Sequence, residues 1–186
     1  MVSIVDMKFN STPFQGLFLI EPFRHADSRG EFVKTFHAPK FADQGLTFDF
    51  REEFYSISNK GVLRGMHFQT PPAAHQKIVY CIAGSVLDVV LDLRKTEPTY
   101  GKSYSIELNE ENRNTLWIPI GFAHGFLSLR NGSCVVYKTD KEHAPDNDKG
   151  LLWNSFGFEW PTTGPTVSTS PRDNQHPSFE SFESPF

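Results

Sequence analysis

The sequence predicts a mostly β chain, an antiparallel sandwich or barrel, and three observations carry that expectation. Short apolar segments alternate with period two, the mark of strands with one buried face. Thirteen glycines and thirteen prolines punctuate these segments along the whole chain. Helical periodicity is nearly absent.

The first strand-like runs are residues 17–20 and 32–36, with Asp27-Ser-Arg-Gly30 as a turn between them. Residues 38–44 suit one or two helical turns, with Gly45 as the C-terminal stop. Strand patterns follow at 54–58, 62–69 and 78–82, the last two parted by Pro71-Pro72. Residues 86–94 give the clearest alternation: Leu87, Val89, Leu91 and Leu93 share one face, and Asp88, Asp92 and Arg94 share the other. Runs at 104–108, 115–118, 125–129 and 134–139 complete the set, with turns at Ala83-Gly84-Ser85 and Arg130-Asn131-Gly132. Beyond Pro145 the chain is rich in Pro, Gly, Ser and Asp. It reads as a single domain over residues 1–186: a barrel core at 17–140 and a tail at 141–186 laid over it, carrying a short helix or two.

Composition narrows the function. With 38% hydrophobic and 22% charged residues, the 186-residue chain has a globular balance. No apolar run approaches the roughly 20 residues of a bilayer helix. The opening Met1-Val-Ser-Ile-Val-Asp6 lacks the basic and apolar regions of a signal peptide, so a cytoplasmic protein is expected. A net charge of −4 argues against a nucleic-acid partner. Cys81 and Cys134 sit in apolar strands without a redox motif and read as buried thiols.

The densest chemistry lies in Val62-Leu-Arg-Gly-Met-His-Phe-Gln69, followed by Gln76-Lys77. A regular strand there turns Leu63, Gly65, His67 and Gln69 to one side, so His67 and Gln69 project together into a barrel. The same alternation puts Arg64 on the opposite face, unless Gly65 breaks the strand or Arg64 reaches around an edge. A metal-binding barrel would place His-x-His on this strand. His67-Phe-Gln69 stands there instead, and the positive charge of Lys77 opposes a cation, so no metal and no cofactor are expected. Ile118-Pro-Ile-Gly-Phe-Ala-His-Gly-Phe126 and Val135-Val-Tyr-Lys138 add a buried His124 and a Tyr137 opposite Lys138. By composition alone, Ser170-Pro-Arg-Asp173 is an ordinary loop.

These stretches, in this order, closely resemble the dTDP-4-dehydrorhamnose 3,5-epimerase family, from about Leu17 to Pro177. The markers include Asp27-x-Arg29-Gly30-x-Phe32, Val62-Leu-Arg-Gly-x-His-x-Gln69, Gln76-Lys77, Asp88-Val89, Trp117-Ile-Pro-x-Gly-Phe-Ala-His-Gly-Phe126, Tyr137-Lys138 and Ser170-x-Arg-Asp173. The resemblance implies a metal-free, cupin-type jelly roll acting as a homodimer with strand exchange, on a nucleotide-linked 4-keto-6-deoxyhexose. It implies His67 as the base, oriented by Asp173, with Lys77 stabilising the enolate and Tyr137 delivering protons from the other side. Arg29, Arg64 and His124 would meet the sugar nucleotide, mainly its diphosphate. Phe32, Phe54, Gln69, Asp148 and Arg172 complete the implied substrate contacts.

The chain departs from the family pattern at Lys34, Glu52 and His143, positions that serve mostly the nucleotide end. Exchanging donors for acceptors there alters how a base edge is read. The chemistry is therefore expected to be retained while the base or sugar preference is altered, with a CDP-linked or otherwise modified keto sugar as the alternative to the dTDP-linked one. Inversion at both C3 and C5 is the leading expectation, with a 3-only or 5-only enzyme as the alternative. Of the other classes, a non-catalytic sugar-nucleotide-binding cupin is disfavoured by the full set of His67, Asp173, Lys77 and Tyr137. A metal-dependent cupin enzyme is disfavoured by Gln69 and Lys77.

Overall fold

The structure is a computed structural model that describes residues 6–161 and 167–186. The opening stretch read above as lacking a signal peptide lies, except for Asp6, outside the described residues. So do residues 162–166 of the expected tail.

Thirteen strands and one short helix are present among the described residues. Six strands form one sheet, in the order β1 (Lys8–Ser11), β2 (Phe18–Glu21), β10 (Thr115–Ile118), β7 (Lys77–Ala83), β12 (Ser133–Thr139) and β5 (Glu52–Ser58). Five form the other: β13 (Asp148–Gly150), β6 (Leu63–Gln69), β11 (Phe122–Ser128), β8 (Ser85–Asp92) and β9 (Ser103–Asn109). A separate hairpin pairs β3 (Phe23–Asp27) with β4 (Gly30–Lys34). Pairing within the two sheets is antiparallel throughout. The result is a cupin-like jelly roll.

Every strand expected from alternation is found, shifted at the ends by up to three residues. Three strands carry too little apolar signal to be read: β1, β3 and β13. The expected strand at 32–36 is displaced to Gly30–Lys34, because it is half of a hairpin turning at Ser28-Arg29. Helix α1 spans Ala38–Ala42, shorter than expected; Pro39 sits in its first turn, and Gly45 follows at φ +74°. Among its described residues the tail holds one 3-10 turn, Phe179–Ser181.

Three apolar layers result. Val79, Val86, Val90, Leu116, Phe126 and Val135 pack between the sheets. Outside the six-stranded sheet, Phe41 of α1 lies against Trp117, with ring centroids 5.8 Å apart. Outside the five-stranded sheet, Leu63, Met66, Val89, Leu91 and Leu93 are covered by Leu151, Trp153, Trp160 and Phe182 of the tail. Each such fully buried side chain contributes about 1.5–3 kcal/mol.

The alternation of β8 calls for a correction. A period-two pattern normally leaves the polar face in water, yet both faces are buried here. The tail covers the leucine face, and Asp88 and Asp92 point inward, each 0% exposed. Asp92 is compensated there by Arg94 Nη2 at 2.7 Å and Thr99 Oγ1 at 2.6 Å.

Candidate active site

A cavity of about 560 Å³ opens between the two sheets at the end where β6, β7, β11 and β12 converge. This is a size suited to a small ligand. His67, Gln69, Lys77, His124 and Tyr137 all border it.

The strand β6 delivers two of its charged side chains to the cavity through a break in alternation. Its pairing with β11 runs His124 opposite His67 but Phe126 opposite Arg64, so one residue of β11 spans two of β6. This bulge falls at Gly65, whose φ is +139°. A side chain there would place its Cβ 2.5 Å from the Cα of Gly125. Only glycine fits. Leu63, Met66 and Phe68 pack against the tail, although Leu63 and Phe68 also touch the cavity, and Arg64, His67 and Gln69 all border it. Of the two ways Arg64 could reach the cavity, the break at Gly65 is the one found.

His67 Nε2 shares a 2.7 Å hydrogen bond with Asp173 Oδ1. The tail brings the carboxylate in: Ser168 bridges Val62 beside β6, and Asp173 N donates to Ser170 Oγ at 3.1 Å. Burial alone would raise the Asp173 carboxyl, but the bond and charge of His67 and the amide of Gly65 outweigh it and hold the group below its ordinary value. An ionised carboxylate only accepts, so His67 Nε2 carries a proton, and in the neutral ring the lone pair is on Nδ1.

Lys77 comes from β7 on the facing sheet, and its Nζ donates to the His67 carbonyl oxygen at 3.3 Å. Burial pulls its ammonium down to about 8, partly offset by Asp148 and Asp88. Tyr137, on β12 of that same sheet, stacks on Phe54 with centroids 4.9 Å apart and planes 16° apart. Its hydroxyl lies 3.3 Å from Ser56 Oγ, and burial pushes its pKa up, so it stays protonated. His124 Nε2 shares a 2.8 Å hydrogen bond with Asp88 Oδ2, forming a second imidazole–carboxylate pair, deeper than the first.

The remaining expected residues divide into three groups. Glu52, Phe54, Arg64, His143, Asp148 and Arg172 border the cavity. Asp148 accepts from Arg172 at 2.7 Å and from His143 at 3.1 Å, and these partners overcome burial to lower its carboxyl. Gln69 is 4% exposed and spends its amide on the backbone of Ala73, Glu142 and Ala144, tying down the loop under the rim. Arg29, Phe32 and Lys34 lie on the β3–β4 hairpin and do not border the cavity. Arg29 is paired with Asp27 at 2.5 Å.

Two further histidines lie at or beside the site, one that the sequence reads as a loop residue after Pro71-Pro72-Ala73-Ala74 and one that it does not single out. His75 borders the cavity; burial and Lys77 push its imidazole down to about 3, and neither ring nitrogen has a partner among the described residues. His176 stands edge-on to His67, with centroids 5.8 Å apart, and its Nε2 is 4.0 Å from Asp173 Oδ1. No motif marks either one. The strand signature for metal binding is absent, yet folding assembles His67, Asp173 and His176 with donor atoms within 4.8 Å of one another.

The chain matches the dTDP-4-dehydrorhamnose 3,5-epimerase family model over residues 11–181. A protein of that name from Shigella flexneri is 39% identical over 165 residues, 87% of this chain and 91% of that protein. The crystal structure of dTDP-6-deoxy-D-glucose-3,5-epimerase from Legionella pneumophila, in complex with dTDP-4-keto-L-rhamnose, superposes with a TM-score of 0.91 at 33% identity, covering 96% of this chain and 95% of that one. A 3'-monoepimerase from Streptomyces bikiniensis, in complex with dTDP-quinovose, is more distant: TM-score 0.84, 28% identity, 90% and 85% covered. Fold, ordered motifs and relatives agree, and the chain belongs to the dTDP-4-dehydrorhamnose 3,5-epimerase family and is an epimerase.

Proposed function

We propose that this chain inverts C3 and C5 of a dTDP-linked 4-keto-6-deoxyhexose by removing and returning protons. One observation supports this above the others: a proton acceptor and a proton donor approach the same cavity from opposite sheets. His67 comes from the five-stranded sheet and Tyr137 from the six-stranded sheet, and both border the cavity. Inversion requires a proton taken from one face of a carbon and another supplied to the opposite face. An imidazole backed by a carboxylate is the natural base, and a phenol held protonated is the natural acid.

The 4-keto group acidifies C3 and C5 because the carbanion left behind is an enolate. Lys77 places positive charge where that oxyanion develops, an electrostatic contribution that is usually the largest. The chemistry draws on side chains alone and calls for no cofactor. Arg64 and His124 remain the candidates for the diphosphate end. Nucleotide sugars are formed in the cytoplasm, and we place the enzyme there; among the described residues no helix is long and apolar enough to cross a membrane.

Incubation in heavy water with NMR at C3 and C5 tests this reading. Deuterium is expected at both carbons. His67→Ala should lose exchange at both by about 10²–10⁴-fold, while Tyr137→Phe should retain exchange and impair inversion. Undiminished exchange in His67→Ala removes the assigned base. Deuterium at C3 alone would make this a monoepimerase. The expectation of an altered base, drawn from Lys34, Glu52 and His143, is tested by parallel turnover of the dTDP- and CDP-linked sugars: a CDP preference overturns the dTDP reading, and a strong dTDP preference ends that expectation.

The working unit is proposed to be a homodimer. Strand β5 is a sheet edge among the described residues and exposes Tyr55 at 67% and Ile57 at 61%, while the hairpin exposes Phe32 at 55%. Unpaired apolar edges seek a partner strand. Exchange of hairpins between two copies would cover both and carry Arg29 toward the neighbour's cavity. A solution mass of one chain at micromolar concentration would sink this.

A further inference from the structure

The His67–Asp173 pair has a third neighbour that proton transfer does not use. His176 lies outside the cavity, on the tail three residues beyond Asp173, with its side chain 13% exposed. Its Nε2 is buried and has no hydrogen-bond partner among the described residues. The ring is also closely packed: a Cβ on Gly150 would fall 2.4 Å from that nitrogen. Glycine at 150 makes room for an imidazole whose polar atom is left unsatisfied beside a carboxylate, an arrangement that normally costs stability.

We propose that His67, Asp173 and His176 form an inhibitory site for a divalent transition metal ion of the zinc class. Two imidazoles and a carboxylate are a borderline-soft donor set that suits such ions. Ligands bonded at 2.0–2.1 Å around a tetrahedral ion stand about 3.3 Å apart. The separations from Asp173 Oδ1, 2.7 Å to His67 Nε2 and 4.0 Å to His176 Nε2, bracket that value, and all three donor atoms lie within 4.8 Å of one another. Small side-chain shifts suffice. His67 and Asp173 both border the cavity, which supplies water for the remaining position.

The consequence for catalysis follows from the tautomer. The metal takes the place of the proton between His67 Nε2 and Asp173, and a neutral imidazole ligated at Nε2 carries its one proton on Nδ1. No proton is lost overall; it changes nitrogen. Nδ1 is the nitrogen assigned to the substrate, so the metal-bound chain has no base. Lys77 and Arg172 bring positive charge nearby, which keeps the site weaker than a closed structural one and reversible by a chelator.

The inhibition rests on His67 being the base, whereas the binding does not, so the two are measured separately. Calorimetric titration of the chelator-treated chain with zinc should show one site per chain, lost in His176→Gln. Nitrogen NMR of the unchanged chain should show zinc moving the His67 and His176 resonances, which serves even if His176→Gln does not fold. Movement of His25 or His143 alone, or equal binding by His176→Gln, overturns the site. One equivalent of zinc should suppress deuterium exchange at least tenfold and EDTA should restore it, while His176→Gln resists. Zinc seated on His176 with exchange undiminished overturns the inhibition and points to a base other than His67.

Discussion

Two imidazole–carboxylate pairs flank one cavity, and they are built in opposite ways. His124 and Asp88 come from neighbouring strands of one sheet and are 4% and 0% exposed. His67 and Asp173 are 106 residues apart, joined only when the tail lies down on β6, and the His67 side chain is 29% exposed. Such a sealed pair cannot exchange protons freely with a substrate. The His124 ring lies beside that of Tyr137, with centroids 6.0 Å apart. The open pair has a free nitrogen and a route to the cavity. Depth and chain connectivity, rather than residue type, separate a structural pair from a reactive one.

Breaking the carboxylate of each pair sharpens that contrast. Asp173→Asn is expected to lower turnover by about 10²–10⁴-fold while leaving the fold intact, because an amide no longer fixes the imidazole tautomer. Asp88→Ala is expected to show the reverse emphasis: about 1–3 kcal/mol lost in urea unfolding from a stranded buried imidazole. Equal stability losses for the two variants would erase the distinction.

Gly65→Ala strikes the open pair first, although its Cβ would also lie 3.1 Å from the His124 carbonyl oxygen. A side chain at φ +139° costs on the order of 1–3 kcal/mol before its overlap with Gly125 is counted, and relief of that overlap displaces Arg64 and His67 together. Lowered stability is expected together with a lowered turnover rate. A variant with unchanged turnover would show that the bulge does not position His67.

The smallest effect is the pH profile. Burial lowers the Lys77 ammonium to about 8, so its charge is present below that pH and is lost as pH rises through it. Enolate stabilisation is expected to fade over the same interval, bending the rate downward on the alkaline side. Lys77→Arg, which stays charged, should remove the bend at the cost of a misplaced cation. A flat profile in the unaltered enzyme would release Lys77 from that role.

Much of this was legible along the chain because it is local. Alternation located ten strands, since each strand carries its own period-two signal. The hairpin strand β3 and the three-residue β13 were missed because neither buries an apolar face. On β6, regular alternation grouped His67 with Gly65 and not with Arg64. The bulge that reverses this depends on how closely β6 and β11 approach at Gly65 and Gly125, a contact between strands that no periodicity within one strand reports.

By itself, the sequence determined a mostly β chain, the strands that carry His67 and Tyr137, and the family to which they belong. Those properties are written in neighbouring residues. Only the tertiary structure decided that the acidic face of β8 turns inward, that the tail sets Asp173 and His176 beside His67, and that the hairpin bearing Arg29 stays clear of its own cavity. Each of these depends on which distant segment covers which surface. That is a matter of closing long loops against buried area, and it leaves no periodic trace in the chain.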